Sequence, residues 1–225
     1  MKESIVISLG GSVVVADDTT SVYFSELAEL IHRFVTKYRI FLVIGGGHPA
    51  RTYIQRGRKL HLTEDQLDDI GIMLTRVNAR LLSYVIDAHQ EMIPESTDDA
   101  AKQDGQIVIM GGTVPGHSTD FVGAELAMKV RAYRYVIATN VDGVYDKDPR
   151  KYSDASFLST VHIDELLEQY GSGWDSAGSN MVIDGPALKL IKDHSIATSV
   201  INGKSLKELE KIFEKKKFHG TEIKI

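Results

Sequence analysis

Runs of apolar residues alternate along this chain with segments in which apolar residues recur at helical spacing. Four of the runs are typical of buried β-strands, at residues 4–9, 40–44, 106–110 and 135–138. The segment between the first two carries Phe24, Leu27, Ile31, Phe34 and Val35, which predicts an amphipathic helix. Continuous apolar strands that alternate with helices belong to parallel sheets covered on both faces. The pattern therefore predicts an α/β fold, a three-layer αβα sandwich with a mainly parallel central sheet.

The longest helical pattern begins at Thr63, which forms a predicted capping box with Gln66. Its expected buried stripe consists of Leu67, Ile70, Leu74, Val77, Leu81 and Val85. Further helices are predicted at 50–60, 98–102, 121–132, 163–170, 185–193 and 205–215, the last capped by Ser205. A strand is expected at 197–201, a short strand or extended link at 92–94, and an edge strand at 222–225.

Each of the four apolar runs ends in small or polar turn residues. The turns are Gly10-Gly11-Ser12, Gly45-Gly46-Gly47, Gly111-Gly112-Thr113 and Thr139-Asn140-Val141-Asp142-Gly143. The carboxyl ends of parallel strands share one edge, where α/β sheets bind ligands. Glycine N–H groups and helix N-termini attract anions there. A single glycine triplet would favour a plain turn beside a surface arginine, but the repetition predicts a nucleotide or polyphosphate site, with Arg51 within reach of a phosphate.

Charge and composition narrow the possible partners. The chain has 26 Lys and Arg against 31 Asp and Glu, a net charge of -5, which argues against general attraction to nucleic acid or anionic membranes. It has no cysteine, so a disulfide framework and a cysteine nucleophile are excluded. No apolar run approaches the roughly 20 residues that span a bilayer. We expect a cytoplasmic protein with neither nucleic acid nor membrane as a partner.

Several common catalytic motifs are missing. Asn202-Gly203-Lys204-Ser205 looks like the tail of a P-loop, but Thr198 stands where the first glycine is required. The Rossmann glycine fingerprint and the G-x-S-x-G nucleophile elbow are also missing. The eight histidines show no metal-ligand spacing, and His48 and His117 are interpreted as polar loop side chains. A P-loop kinase, a common dehydrogenase and an α/β-hydrolase are thereby disfavoured.

Three features are ambiguous when each is taken alone. Residues 115–120 either cap a helix, through Thr119 or Asp120, or bind a ligand. Residues 145–149 form either a turn or hairpin, or an aromatic face for a base with carboxylates for a ribose or Mg²⁺. Lys189 follows a Gly/Ser-rich loop at 171–179 and, by itself, is a solvated helix residue.

Together these segments resemble the amino acid kinase family. The resemblance rests on Gly10-Gly11-Ser12, the 45–47 triplet, and above all Thr139-Asn-Val-Asp-Gly-Val-Tyr145 followed by Asp148-Pro149. Within that family the chain most resembles the archaeal type of uridylate kinase. The segments that carry this closer resemblance are Gly45-Gly-Gly-His-Pro-Ala-Arg51, Asp68 with Gly71-Ile-Met-Leu-Thr-Arg-Val-Asn78, Gly111-Gly-Thr-Val-Pro-Gly-His-Ser-Thr-Asp120, and Val182-Ile-Asp184 with Lys189.

The resemblance implies one αβα domain over residues 1–225, with an acceptor part at roughly 1–132 and an ATP part at roughly 133–225. It implies conversion of UMP to UDP with ATP and Mg²⁺, the ion being held mainly by the ATP phosphates rather than by protein ligands. The residues expected to bind ATP are Ser8, Leu9, Gly10, Gly11, Ser12, Gly47, Arg51, Thr139, Asn140, Tyr145 and Asp148. Those expected to bind UMP are Gly46, Asp68, Val114, Pro115, Gly116, His117, Ser118, Thr119 and Asp120. A homo-oligomer, commonly a hexamer, and UTP as a feedback inhibitor are also implied.

Two positions depart from the family pattern. Many members carry a lysine where Ser8 stands and an aspartate where Asn140 stands. Phosphoryl transfer requires alignment and cations more than covalent chemistry, and the ionised UMP phosphate is itself the nucleophile, so no general base is needed. We therefore expect Lys189 and Arg51 to be the catalytic cations, with Mg²⁺ and the glycine N–H groups beside them.

Two alternatives remain open at this stage. Another phosphate-accepting member of the family, such as an isopentenyl phosphate kinase, would need an apolar pocket for its acceptor, which the polar 116–120 loop and Asp68 do not suit. A non-catalytic nucleotide-binding or storage protein of the same fold is kept open by Ser8 and Asn140.

Overall fold

The computed structural model describes residues 2–14, 20–149, 151–173 and 182–225. In these ranges the strands are β1 (Glu3–Leu9), β2 (Tyr38–Ile44), β3 (Ile107–Met110), β4 (Arg134–Thr139), β5 (Val144–Tyr145), β6 (Phe157–Leu158), β7 (Thr160–His162), β8 (Thr198–Asn202) and β9 (Thr221–Lys224). The helices are α1 (Gly11–Val14), α2 (Thr20–Phe34), α3 (Gly47–Lys59), α4 (Glu64–Ile86), α5 (Thr97–Lys102), α6 (Thr119–Lys129), α7 (Ile163–Tyr170), α8 (Gly185–Asp193) and α9 (Leu206–Phe213). Most of the predicted 171–179 loop lies outside the described residues.

One seven-stranded sheet organises the molecule, in the order β3-β2-β1-β4-β8-β9-β7. The first five strands of that order run parallel, and β9 joins β8 in the opposite direction. Leu9 pairs with Ile44 on one side and with Ala138 on the other, so β1, β2 and β4 end side by side. The four strand ends that carry the glycine and polar turns therefore meet at one edge, as the sequence predicted.

Alternating residues of the sheet point to its two opposite faces and belong to two separate hydrophobic cores. On one face, Ile5, Ile7 and Leu9 of β1 belong to a buried cluster with residues of α2, α4 and α9. On the other face, Val6 belongs to a cluster with residues of α5, α6, α7 and α8. This burial of a sheet between two helical layers confirms the predicted αβα sandwich. No described helix combines the length and apolar character needed to cross a bilayer.

The predicted buried stripe of α4 is confirmed at Leu67 but wrong in the second half of the helix. Val77, Leu81 and Val85 are 60%, 49% and 40% exposed, whereas Ala79, Leu82 and Ile86 are buried with no exposed surface. The helix carries apolar residues on two faces, and the face of Ala79, Leu82 and Ile86 packs into the core against β1 and β2. The face of Val77, Leu81 and Val85 consequently points outward.

Smaller differences between the predicted and the observed elements concern the place of one strand and the helix caps. β9 lies inside the sheet, between β8 and β7, and is not an edge strand. Residues 92–94 form a link rather than a strand. Ser118, and neither Thr119 nor Asp120, caps α6 by accepting from Phe121 N. Ser205 occupies the N-cap position of α9 but makes no side-chain capping bond. The predicted helices at 163–170 and 185–193 and the capping box of Thr63 and Gln66 are confirmed.

Candidate active site

A cleft of about 600 Å³ opens at the shared carboxyl edge of β1, β2 and β3. It is lined by glycines of three turns, by one side of α3 and α4, and by the loop that leads into α6. The lining residues are Gly11, Gly45, Gly46, Gly47, Ala50, Arg51, Ile54, Asp68, Gly71, Ile72, Thr75, Gly112, Val114, Gly116, His117, Ser118 and Thr119. Residues expected on the UMP side and residues expected near the donor phosphates therefore border the same space.

The turns after β1 and β2 touch each other backbone to backbone. A Cβ added to Gly11 would lie 2.0 Å from Gly47 N, and one added to Gly45 would lie 2.5 Å from Gly11 N. Gly47 also has a φ of 68°, a conformation that favours glycine. These contacts require glycine at three positions and bring main-chain N–H groups together at the mouth of the cleft.

Helix α4 holds the turns from behind with polar side chains. Asn78 Nδ2 donates to Gly45 O at 2.9 Å and to Gly46 O at 3.1 Å. Arg76 donates to Gly112 O at 3.2 Å and to Thr113 O at 3.1 Å. Thr75 Oγ1 accepts from Gly112 N at 2.6 Å. Sequence analysis assigned no site role to these three residues. Their signal was the polar interruption of an otherwise apolar helical stripe.

The acceptor side of the cleft is closed by the loop before α6. Asp68 Oδ2 accepts from Gly116 N at 2.8 Å, and Gly116 has a φ of 84°. The His117 ring packs against Phe121 with centroids 4.4 Å apart. Of the residues expected to bind UMP, the cleft brings together Gly46, Asp68, Val114, Gly116, His117, Ser118 and Thr119. Pro115 and Asp120 do not form part of its lining.

Asp120 lies behind the cleft wall and faces the first strand. Ser8 is fully buried, and its Oγ donates to Asp120 Oδ1 at 3.2 Å. The pKa of the Asp120 carboxyl is raised from 3.8 to about 7, chiefly by removal from water and in addition by the negative charge of Asp184, while the Ser8 hydrogen bond opposes the rise. Asp184 caps α8 and accepts a hydrogen bond from Ser118. Two carboxylates therefore lie next to the strand position where many family members carry a lysine.

This arrangement limits how the residues expected to bind ATP at the end of β1 could contact it. Ser8 and Leu9 are fully buried, so neither side chain reaches the cleft, whereas Gly10, Gly11 and Ser12 retain exposed surface. Asn140 is exposed at the end of β4, so the carboxylate that faces Ser8 is Asp120 rather than a group at position 140.

The remaining donor residues follow β4, beside β1 in the sheet. Asp142 accepts from Asn202 Nδ2 at 2.9 Å, which ties this segment to β8. Tyr145 lies in a short antiparallel hairpin of β5 and β6 and packs edge-on against Phe157, 5.6 Å away. Its pKa is raised by burial and by the charge of Asp142. The Asp148 carbonyl accepts from Lys151 N and Tyr152 N, which fixes the next turn.

The two expected catalytic cations differ in placement. Arg51 lines the cleft, whereas Lys189 Nζ pairs with Asp193 Oδ2 at 2.6 Å on the exposed side of α8. The ion pair joins residues one helical turn apart and leaves the Lys189 side chain 59% exposed. The structure therefore does not bring Lys189 to the cleft.

Comparison with known proteins agrees with this geometry. The sequence profile described as "Amino acid kinase family" matches residues 3–202. The chain is 41% identical to a uridylate kinase of Methanobrevibacter smithii, covering 88% of this chain and 89% of that protein. It is 37% identical to a uridylate kinase of Thermoplasma volcanium, covering 99% and 98%. The solved structure of uridylate kinase from Archaeoglobus fulgidus superposes with a TM-score of 0.87 at 36% identity, covering 99% of this chain and 100% of that one. The chain belongs to the amino acid kinase family.

Proposed function

We propose that this protein transfers the γ-phosphoryl group of ATP to UMP and forms UDP, a step of pyrimidine nucleotide biosynthesis. The observation that carries the proposal is the cleft in which the glycine turns of β1 and β2 meet the Asp68-anchored loop before α6. Uridylate kinases match this chain over most of its length, which supports the same acceptor.

The acceptor side is suited to a nucleoside monophosphate. Asp68 presents a carboxylate at the cleft wall, where it can accept from ribose hydroxyls, and its bond to Gly116 aligns the loop around the base. Val114 and His117 add an apolar and an aromatic surface. UTP shares the uridine group with UMP, and we propose it as a feedback inhibitor on that basis.

At the transfer point the protein supplies fixed dipoles and one cation. The N–H groups of Gly11, Gly46 and Gly47 face the phosphates, and the Arg51 guanidinium neutralises charge on the migrating group. The UMP phosphate attacks as an ionised nucleophile, so no residue has to remove a proton. This scheme therefore requires neither a lysine at the position of Ser8 nor an aspartate at the position of Asn140.

Mg²⁺ with ATP supplies further charge neutralisation when it is bound. In the part of the chain that the structure describes, no group of three or more His, Asp or Glu side chains converges. We propose that phosphate oxygens and water supply most of the ligands of Mg²⁺; Asp184, which accepts a hydrogen bond from Ser118 of the cleft lining, is a carboxylate beside the site.

The outer face of α4 supports a homo-oligomer, for which we propose the hexamer implied by the family. Met73, Val77, Leu81 and Tyr84 are 53%, 60%, 49% and 72% exposed. Apolar surface of this extent on one helix is typical of a protein interface. Sedimentation of the wild type beside a Val77→Glu variant tests whether this face joins the subunits.

An ADP-release assay with UMP, CMP, dUMP and isopentenyl phosphate tests the proposed acceptor. We expect turnover to be fastest with UMP. Preference for isopentenyl phosphate would favour an isopentenyl phosphate kinase. The lining of the cleft includes the polar residues Asp68 and Thr119, which do not suit an apolar acceptor. No turnover with any acceptor, together with tight nucleotide binding, would indicate a storage protein.

A further inference from the structure

The glycine turn after β2 is held from behind by a single buried amide. Asn78 is 7% exposed, and its Nδ2 donates to two consecutive carbonyls, Gly45 O and Gly46 O. A donor shared by two successive carbonyls fixes the orientation of two peptide planes at once. We propose that Asn78 is a positioning residue for phosphoryl transfer, which sets the direction in which this turn presents its N–H groups to the phosphates.

The direction follows from the geometry of the peptide bond. The described residues contain no cis peptide. In a trans peptide, the carbonyl of one residue and the N–H of the next point to opposite sides. Because the carbonyls of Gly45 and Gly46 face Asn78 on α4, the N–H groups of Gly46 and Gly47 point away from that helix. Gly47 N lies next to Gly11, and both glycines line the cleft.

The turn has little else to define these planes. Glycine has no side chain whose packing would resist rotation of the backbone. Gly46 O has one further partner, Ala50 N, at a long distance of 3.4 Å. The backbone bond from Gly45 N to Leu9 O, at 3.0 Å, anchors only the start of the turn. The Asn78 donor therefore adds to the close contact with Gly11 and to the start of α3 in selecting one orientation of the Gly46 and Gly47 N–H groups.

This inference rests on the proposed phosphoryl transfer, because the N–H groups can assist only if phosphate charge develops beside them. Removal of one preorganised donor of this kind typically costs on the order of 10²–10³ in kcat. Loss of Asn78 leaves both N–H groups in place but lets them rotate, so we expect a smaller fall, of about tenfold or more.

Steady-state kinetics of Asn78→Ala and Asn78→Asp provide the first test. Alanine removes the amide and aspartate replaces its N–H donor with a carboxylate oxygen, so neither can donate to the two carbonyls. We expect kcat to fall at least tenfold for both variants, with each nucleotide KM within about threefold of the wild type. Ser83→Ala is the matched control, because Ser83 is equally buried on α4 but bonds only within its own helix, to Arg80 O.

The amide resonances of Gly46 and Gly47 provide a second test that does not depend on turnover. On addition of UMP and a non-hydrolysable ATP analogue, we expect downfield shifts in the wild type that shrink by half or more in Asn78→Ala. Unchanged shifts, or a kcat within threefold in a folded Asn78→Ala, would overturn the positioning role. A wild type that binds nucleotides with these shifts but does not phosphorylate UMP would instead contradict the proposed function.

Discussion

The acceptor wall and the donor edge of the cleft are built in different ways. The acceptor wall is joined by hydrogen bonds between residues distant in sequence, from Asp68 to Gly116, from Asn78 to Gly45 and from Ser118 to Asp184, which are 48, 33 and 66 positions apart. The donor edge is tied to the sheet by two bonds of similar range, Asn202 Nδ2 to Asp142 and Val144 N to Thr221, which are 60 and 77 positions apart, and it then continues as a short hairpin and a local turn. The bonds of the acceptor wall hold cleft-lining residues directly, whereas those of the donor edge hold the base of the hairpin that carries Tyr145.

The largest expected effect is at Arg51, which lines the cleft that the acceptor wall and the donor edge share. Arg51→Met keeps an apolar stem but removes the cation that lines the cleft, so stabilisation of the transition state is lost. We expect kcat to fall on the order of 10²–10³, the usual cost of one stabilising group. Steady-state rates with both nucleotides saturating provide the measurement. A fall of less than tenfold would show that Mg²⁺ and the glycine N–H groups carry the charge without Arg51.

The acceptor wall is tested separately by Asp68→Asn. The substitution removes a charge-assisted hydrogen bond, which contributes roughly 1.5–3 kcal/mol, about 10- to 100-fold in affinity. We expect the KM for UMP to rise by that factor while the KM for ATP changes little. Asp65→Asn is a control in the first turn of α4, one turn before Asp68 and outside the cleft lining. Equal changes in both KM values would mean that Asp68 does not distinguish the two sites.

The donor edge is tested by Tyr145→Ala. If the ring faces the adenosine, its loss should weaken ATP binding by roughly 1–3 kcal/mol, the usual contribution of one aromatic ring stacked on a base. Binding of UMP should persist, because the acceptor wall does not depend on the hairpin. Calorimetric titration of each nucleotide measures both affinities. A selective loss of UMP binding would show that the two regions have been assigned the wrong way round.

The smallest expected effect concerns Lys189. Its ammonium pairs with Asp193 outside the cleft, and an exposed ion pair of this kind adds little to stability because solvent screens it. We therefore expect Lys189→Met to change kcat by less than about threefold and to leave the melting temperature nearly unchanged. A fall of a hundredfold would mean that the side chain leaves Asp193 and reaches the phosphates when the nucleotides bind.

The sequence was sufficient for the framework of the molecule. The apolar runs and their glycine ends predicted the parallel strands and their common edge, since both depend on local composition. The outward position of Val77 on α4 could not be predicted, because the helix carries apolar residues on two faces and the packing against the sheet selects the one that is buried. Asn78 and Arg76 were missed because their partners are main-chain carbonyls of residues distant in sequence. The burial of Ser8 against Asp120 likewise depends on α6 crossing β1.

The enclosed carboxyl of Asp120 has a consequence for how stability varies with pH. Its pKa is raised from 3.8 to about 7 on folding, so between those values the folded chain holds a proton there that the unfolded chain releases. The contribution of this site to the free energy of unfolding is therefore greatest below about pH 4 and decreases as the pH rises through 7. This pH dependence is opposite to that of acid denaturation, in which stability falls as the pH is lowered. Melting curves from pH 5 to pH 8 should show the wild type losing stability relative to Asp120→Asn, whose amide takes up no proton, and parallel curves would contradict the shift.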